Sequence, residues 1–297
     1  KMSKLGFVAL LALLGALVGA AMDSEDNPKL KRINEWFEGI DKQKVLFALN
    51  AGSDKEYTDD AGIKYAADSG SFVDGGQTTS GCGMNHWPFE NMFVYHSERW
   101  GEQFTYKMPL SLKKDGQFTL ILKFSECYFW EPGMKVFDIK VGDKKVLKNV
   151  DPFTVAGGKL TPGDMFLDIK ITGGKLTIDG QSIKNGVVDG KLELQFAKGR
   201  ADNPKVNALL LVEGGVENTH KANYDDMKQA LVEVQEERAE ARAKAEQFFA
   251  EDAYDYEERV DGRGPFNKFL QMDYAFEVTV TLILIGFFKV ALPKSKK

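Results

Sequence analysis

Histidine and cysteine are scarce in this chain. Three histidines (His86, His96 and His220) and two cysteines (Cys82 and Cys127) occur among 297 residues. No histidine pairs with another His or with Cys at a ligand-like spacing, so a zinc site is not expected. No nucleophile-elbow motif occurs either. Glu126 and Asp202 are the pair of carboxylates that a glycosidase reading would nominate, but carboxylates are common here and no catalytic residue is assigned. The 39 basic residues form no stripe with interleaved aromatics, and the net charge is −5, which excludes nucleic acid as the expected partner. No metal or cofactor is expected. No Asn-x-Ser/Thr triplet occurs, so the chain is not expected to carry N-glycans itself. In the oxidising compartment argued for below, the two cysteines either pair or stay as free, partly buried thiols.

Helical periodicity is also rare between residues 45 and 216. That stretch contains short apolar runs broken by Gly, Asp, Asn and Pro. Candidate strands are Val45–Asn50, Glu102–Met108, Gln117–Ser125, Lys135–Val141, Met165–Ile171, Lys175–Ile178, Lys191–Phe196 and Val206–Val212. Turn chemistry separates them at Asp115-Gly116, Gly142-Asp143, Gly157-Gly158, Gly173-Gly174 and Asp189-Gly190. The run Phe118–Phe124 is nearly continuous in apolar residues, as in a central strand buried on both faces. Many short strands with regular turns predict an all-β, jelly-roll-type sandwich. The lack of alternating helices excludes an α/β enzyme fold.

The ends differ from the middle. Lys1 and Lys4 precede an apolar run from Leu5 to Ala21 that exits through small residues. This predicts a secretory signal peptide over 1–21, with an uncleaved signal anchor as the alternative. Residues 22–44 are read as a lead-in with a short amphipathic helix, Leu30, Ile33, Trp36, Phe37 and Ile40 recurring at helical spacing. Residues 217–265 read as a charged helical stalk, a solvated spacer or short coiled coil, with Leu231 and Val234 as a thin apolar stripe. The segment 274–292 would extend about 28 Å as a helix, one hydrocarbon core. It predicts a membrane span in contact with lipid, followed by a short basic cytosolic tail at 293–297 that puts the body on the lumenal side. A helix docked on a partner is the alternative.

Several strings between these ends carry a family resemblance. They are Ala48-Leu-Asn-Ala-Gly52, Glu98-Arg-Trp100, Lys123-Phe-Ser-Glu-Cys-Tyr-Phe129, Lys135-Val-Phe-Asp138, Phe196-Ala-Lys-Gly199 and Asp202-Asn-Pro-Lys-Val206. Their order over about 170 residues resembles the malectin domain. The resemblance implies a malectin-like β-sandwich and a lectin of the endoplasmic reticulum membrane that binds glucosylated high-mannose N-glycans in glycoprotein quality control. It also implies association with a ribophorin-type subunit of oligosaccharyltransferase. In the family, aromatic rings and one Asp grip a glucose disaccharide. Carried over, Tyr128, Phe129 and Asp202 are retained, Trp100 replaces a tyrosine, and Cys82 replaces another aromatic.

Each of these residues also has a plain structural reading. Tyr128 and Phe129 are neighbours, so an ideal strand would send one inward, and both can meet a ligand only if the strand ends or bulges near Cys127. Asp202, before Asn203-Pro204, is also a natural turn residue. Cys82 and Cys127 fall in one neighbourhood by this mapping, and a disulfide between them would pin the loop over the site. Trp87 is a candidate to replace the ring lost at Cys82, or a loop anchor. The loss of that ring also favours a second function, a structural adaptor subunit of a membrane complex with weakened sugar binding.

Overall fold

The computed structural model describes residues 39–81 and 90–224, and then 226–234, 236, 237, 240 and 243. The expected signal peptide, most of the lead-in helix, Cys82, Trp87, the membrane segment and the basic tail lie outside the described residues. Among the described residues no helix is long and apolar enough to cross a membrane. One compact unit covers residues 28–232.

That unit is built almost wholly from strands: β1 Val45–Asn50, β2 Tyr57–Thr58, β3 Lys64–Ala67, β4 Val73–Ser80, β5 Ser97–Pro109, β6 Gly116–Phe124, β7 Val136–Val141 and β8 Lys144–Val150. A five-residue helix α1, Pro152–Ala156, precedes β9 Gly163–Thr172, β10 Lys175–Ile178, β11 Gln181–Ile183, β12 Val187–Val188, β13 Lys191–Ala201, β14 Lys205–Val206 and β15 Ala208–Glu213. The first sheet has the order β11-β10-β9-β6-β15-β1-β3-β2, and the second β14-β5-β13-β7-β8, with β4 on β5 and β12 on β13. Nearly every pairing is antiparallel; β3 runs parallel to β1.

Alternation explains the core. Phe118, Leu120, Leu122 and Phe124 of β6 face inward with Leu167, Ile169 and Ile171 of β9 and Leu209 and Leu211 of β15. They meet Phe104 and Tyr106 of β5, Phe137 and Ile139 of β7, and Leu194 and Phe196 of β13. Phe104 and Phe196 stack at 4.6 Å across the β5–β13 pair. The β-sandwich expected from the turn spacing is thus the observed architecture.

The outer face of the first sheet is buried as well at its middle strands. Thr119, Ile121 and Lys123 of β6 and Leu210 of β15 are all inaccessible, although they point away from the core. The near-continuous apolar run of β6 matches this two-sided burial. Part of the cover is the segment after β15. His220 and Tyr224 place their rings against Phe166 of β9 at 4.9 and 5.4 Å. Lys228 Nζ donates to the Val155 carbonyl at 2.8 Å.

This corrects the stalk boundary at 217. Met227, Ala230 and Leu231 recur at i, i+3, i+4 and are buried, so this stretch is packed rather than a solvated spacer.

Candidate functional site

The site is assembled at the end of β6, where the strand stops at Phe124 and a loop runs to Lys135 before β7. The stop comes from Glu126. Its carboxylate is 1% exposed, and its Oε1 accepts the backbone N–H groups of both Tyr128 (2.7 Å) and Phe129 (3.0 Å). Two consecutive amides turned onto one oxygen cannot continue a ladder, and the chain curls. The strict inward–outward alternation of a strand is therefore lifted at Tyr128 and Phe129. Their rings meet edge to face at 4.9 Å, with Tyr128 77% exposed and Phe129 half-buried.

The rest of the loop is fixed by side chains from elsewhere. Lys159 Nζ donates to the Tyr128 carbonyl at 3.2 Å and lies 3.5 Å above the centre of the Trp130 ring. Asp151, which also caps α1, accepts the Gly133 N–H at 2.6 Å. Lys135 closes the loop by reaching across to the β13–β14 turn. Its ammonium pairs with Asp202, donates to the Asn203 carbonyl at 3.1 Å, and lies 5.5 Å from the Phe129 ring centre.

Asp202 gets its position from an irregularity in β13. The register with β7 shifts between Lys198 and Ala201. Gly199 presses so closely on β7 that a Cβ there would lie 2.4 Å from the Val136 carbonyl oxygen, which bars any larger residue. Asp202 follows at φ 51°, a left-handed conformation that Asp tolerates better than most residues. Its carboxylate is therefore both a turn feature and a presented group. Lys135 engages Oδ2, while the side chain stays 36% exposed.

Trp100 joins through the backbone. It lies on β5 opposite Lys205 of β14, and the Gly101 N–H donates to the Pro204 carbonyl at 3.2 Å. Its indole N–H already donates to Thr79 Oγ1 at 2.8 Å, so Trp100 offers a face rather than a donor. Beneath, Lys205 is buried, pairs with Glu98 and the Ser125 carbonyl, and lies 3.8 Å from Cys127 Sγ. Cys127 is disulfide-bonded, and its partner lies outside the described residues.

Sequence reading missed Trp130, Lys135, Lys159 and the positioning role of Glu126. The run Tyr128-Phe129-Trp130 before Pro132-Gly133 was a usable signal, since three large rings at a turn cannot all be buried. Lys135 and Lys159 gave none, because each meets its partners through the fold. A shallow polar depression lined by Thr105, Lys140, Asp143, Asn185, Glu193 and Gln195 lies toward the opposite ends of β7 and β13.

The family model for the malectin domain matches residues 45–209, more than half of the chain. The chain belongs to the malectin-domain family. Malectin-A of Xenopus laevis is 36% identical over 177 residues, 58% of this chain and 60% of the relative. Human malectin is 34% identical over 185 residues, 60% of each chain. The chain thus matches about 60% of the length of these malectins. Among solved structures, the ANX1 ectodomain from Arabidopsis thaliana matches at a TM-score of 0.45 and 17% identity, covering 59% of this chain and 50% of that one. The malectin match begins at the first residue of β1 and ends inside β15, so it includes every described element of the candidate site.

Proposed function

We propose that this malectin-domain protein is a lectin whose site takes a glucose-terminated, glucosylated high-mannose N-glycan. The observation that carries the proposal is the group formed by Tyr128, Phe129, Lys135 and Asp202. A pyranose has an apolar C–H face and a belt of hydroxyls. The exposed Tyr128 ring and the half-buried Phe129 ring cover the first, while a half-open carboxylate accepts protons from the second and an adjacent ammonium donates to it. Charge-assisted hydrogen bonds of this kind are worth about 1.5–3 kcal/mol each.

The setting follows from family membership and the chain ends. We place the domain in the lumen of the endoplasmic reticulum, anchored through 274–292 with the tail in the cytosol, beside a ribophorin-type partner. Cys82 is the partner we assign to the bonded Cys127, tethering the loop that follows β4 to the aromatic loop. Glu126 is committed to two backbone amides, which speaks against a glycosidase pair with Asp202.

A glycan array with the full-length protein tests this reading. Glucose-terminated oligomannose should bind, and Asp202→Ala should lose the signal. A second reading, the adaptor, rests on Cys82 standing where the family has an aromatic wall. A blank array together with a stable membrane partner on purification would establish that one instead.

A further inference from the structure

The loop after β6 carries one ring more than the expected site uses. Trp130 is 74% exposed, and the next most exposed large apolar side chain after Tyr128 and Trp130 among the described residues is Met134, at 49%. An indole left in water is unfavourable, and one left there by chance has no reason to be held in place. Trp130 is held. The same Lys159 ammonium that lies 3.5 Å over its ring also donates to the Tyr128 backbone carbonyl, tying the indole to the main chain of the loop. The Gly133 amide bonded to Asp151 fixes the chain three residues on.

We propose that Trp130 is a second stacking subsite, so that the site recognises a glycan at least one sugar longer than the unit gripped by Tyr128, Phe129 and Asp202. The proposal rests on the lectin reading above. Three observations favour a sugar as the occupant. Trp130 is two positions after Tyr128, at most about 7 Å along the chain, which suits consecutive pyranose rings on consecutive aromatic faces. Lys159 lies over one face of the ring as a hydroxyl-suited donor, and at 74% exposure the residue still offers ring surface to a sugar. A ring fixed before binding loses little freedom on contact, so a single extra stacking face can register as affinity.

The test is calorimetric titration of the full-length protein with α-linked gluco-oligosaccharides of two, three and four units. Wild type should gain roughly tenfold on addition of the unit that reaches Trp130. Trp130→Ala should bind the disaccharide as wild type does but show no such gain, and Trp130→Phe should recover part of it. Asp202→Ala should weaken every length equally. Trp130→Ala retaining the full gain, or wild type showing none, overturns the subsite and leaves the lectin reading intact. Wild type that binds none of the glucosides overturns both.

Discussion

The molecule uses one chemical constellation twice, with opposite outcomes. In the candidate site a lysine pairs with an aspartate and lies 5.5 Å from a phenylalanine ring: Lys135, Asp202 and Phe129. On the outer face of the first sheet Lys123 pairs with Asp164 at 2.7 Å and lies 5.3 Å from the ring centre of Tyr95. The second group is sealed, with side-chain exposures of 3% and 0%, against 9% and 36% for the first. Tyr95 donates to Asp164 Oδ1 at 2.6 Å, His220 Nε2 lies 2.9 Å from Oδ2, and the Asp164 amide donates to the Tyr224 hydroxyl at 2.7 Å. Every approach to the Asp164 carboxylate is thus taken by protein. Residue identity does not separate a ligand-binding pair from a structural one. The cover above it does, and here His220 and Tyr224 supply part of that cover.

The largest effect should come from breaking the sealed pair. Asp164→Ala takes away the carboxylate paired with the buried Lys123 ammonium, and denaturant unfolding should show a loss of about 3–5 kcal/mol. Glycan binding at temperatures where the variant is folded should persist. Glu126→Ala should come next. Freeing the amides of Tyr128 and Phe129 should cost about 1–3 kcal/mol of unfolding free energy. It should also weaken glycan binding, because the rings lose their fixed bearing. In the open pair, Asp202→Ala should change stability by no more than about 1 kcal/mol, since its carboxylate is screened by water, while glycan binding weakens. Equal stability losses from Asp164→Ala and Asp202→Ala would erase the distinction between the groups.

Acid sharpens the same contrast. Burial lowers the pKa of His220 below its ordinary 6.5, against the pull of Asp164, so the folded state holds it neutral. Stability should therefore begin to fall as pH drops below about 6.5, where the unfolded chain takes up the proton first. Burial alone would raise the Asp164 carboxyl, but the Lys123 ammonium and the His220 hydrogen bond outweigh it and hold it at about 2, below the ordinary 3.8. Its contribution is present above about 4 and is lost as pH falls toward 2. Thermal unfolding across pH should show both declines, and His220→Gln should remove the first only. A wild-type curve flat between pH 6.5 and 4 would contradict the assignment of His220.

Strands with a simple inside–outside rule were legible in the sequence. Val45–Asn50 and Lys175–Ile178 lie where the apolar pattern puts them, and β6 is displaced by one residue. The strands that pattern could not find obey other rules. β4 is Val-Asp-Gly-Gly-Gln-Thr-Thr-Ser, exposed after its first residue and held by pairing with β5. β8 is lysine-rich because it is the edge of its sheet, where charge discourages further pairing. For the site, Tyr128, Phe129 and Asp202 came from family strings, and the condition that the strand must end for both rings to face out is met by the stop at Phe124. Lys135 and Asp202 lie 67 positions apart, and no local pattern announces that meeting.

The segment that carries His220, Tyr224 and Lys228 separates two boundaries that are easily treated as one. The stretch matched by the malectin-domain model closes at residue 209, inside β15, whereas the groups that help keep Lys123 and Asp164 dry reach on to His220 and Tyr224. A fragment cut at the edge of the matched stretch would keep each ring and carboxylate of the aromatic loop and still expose a charged pair built for the dark. Its poor behaviour in solution would then say nothing about whether the loop can hold a sugar.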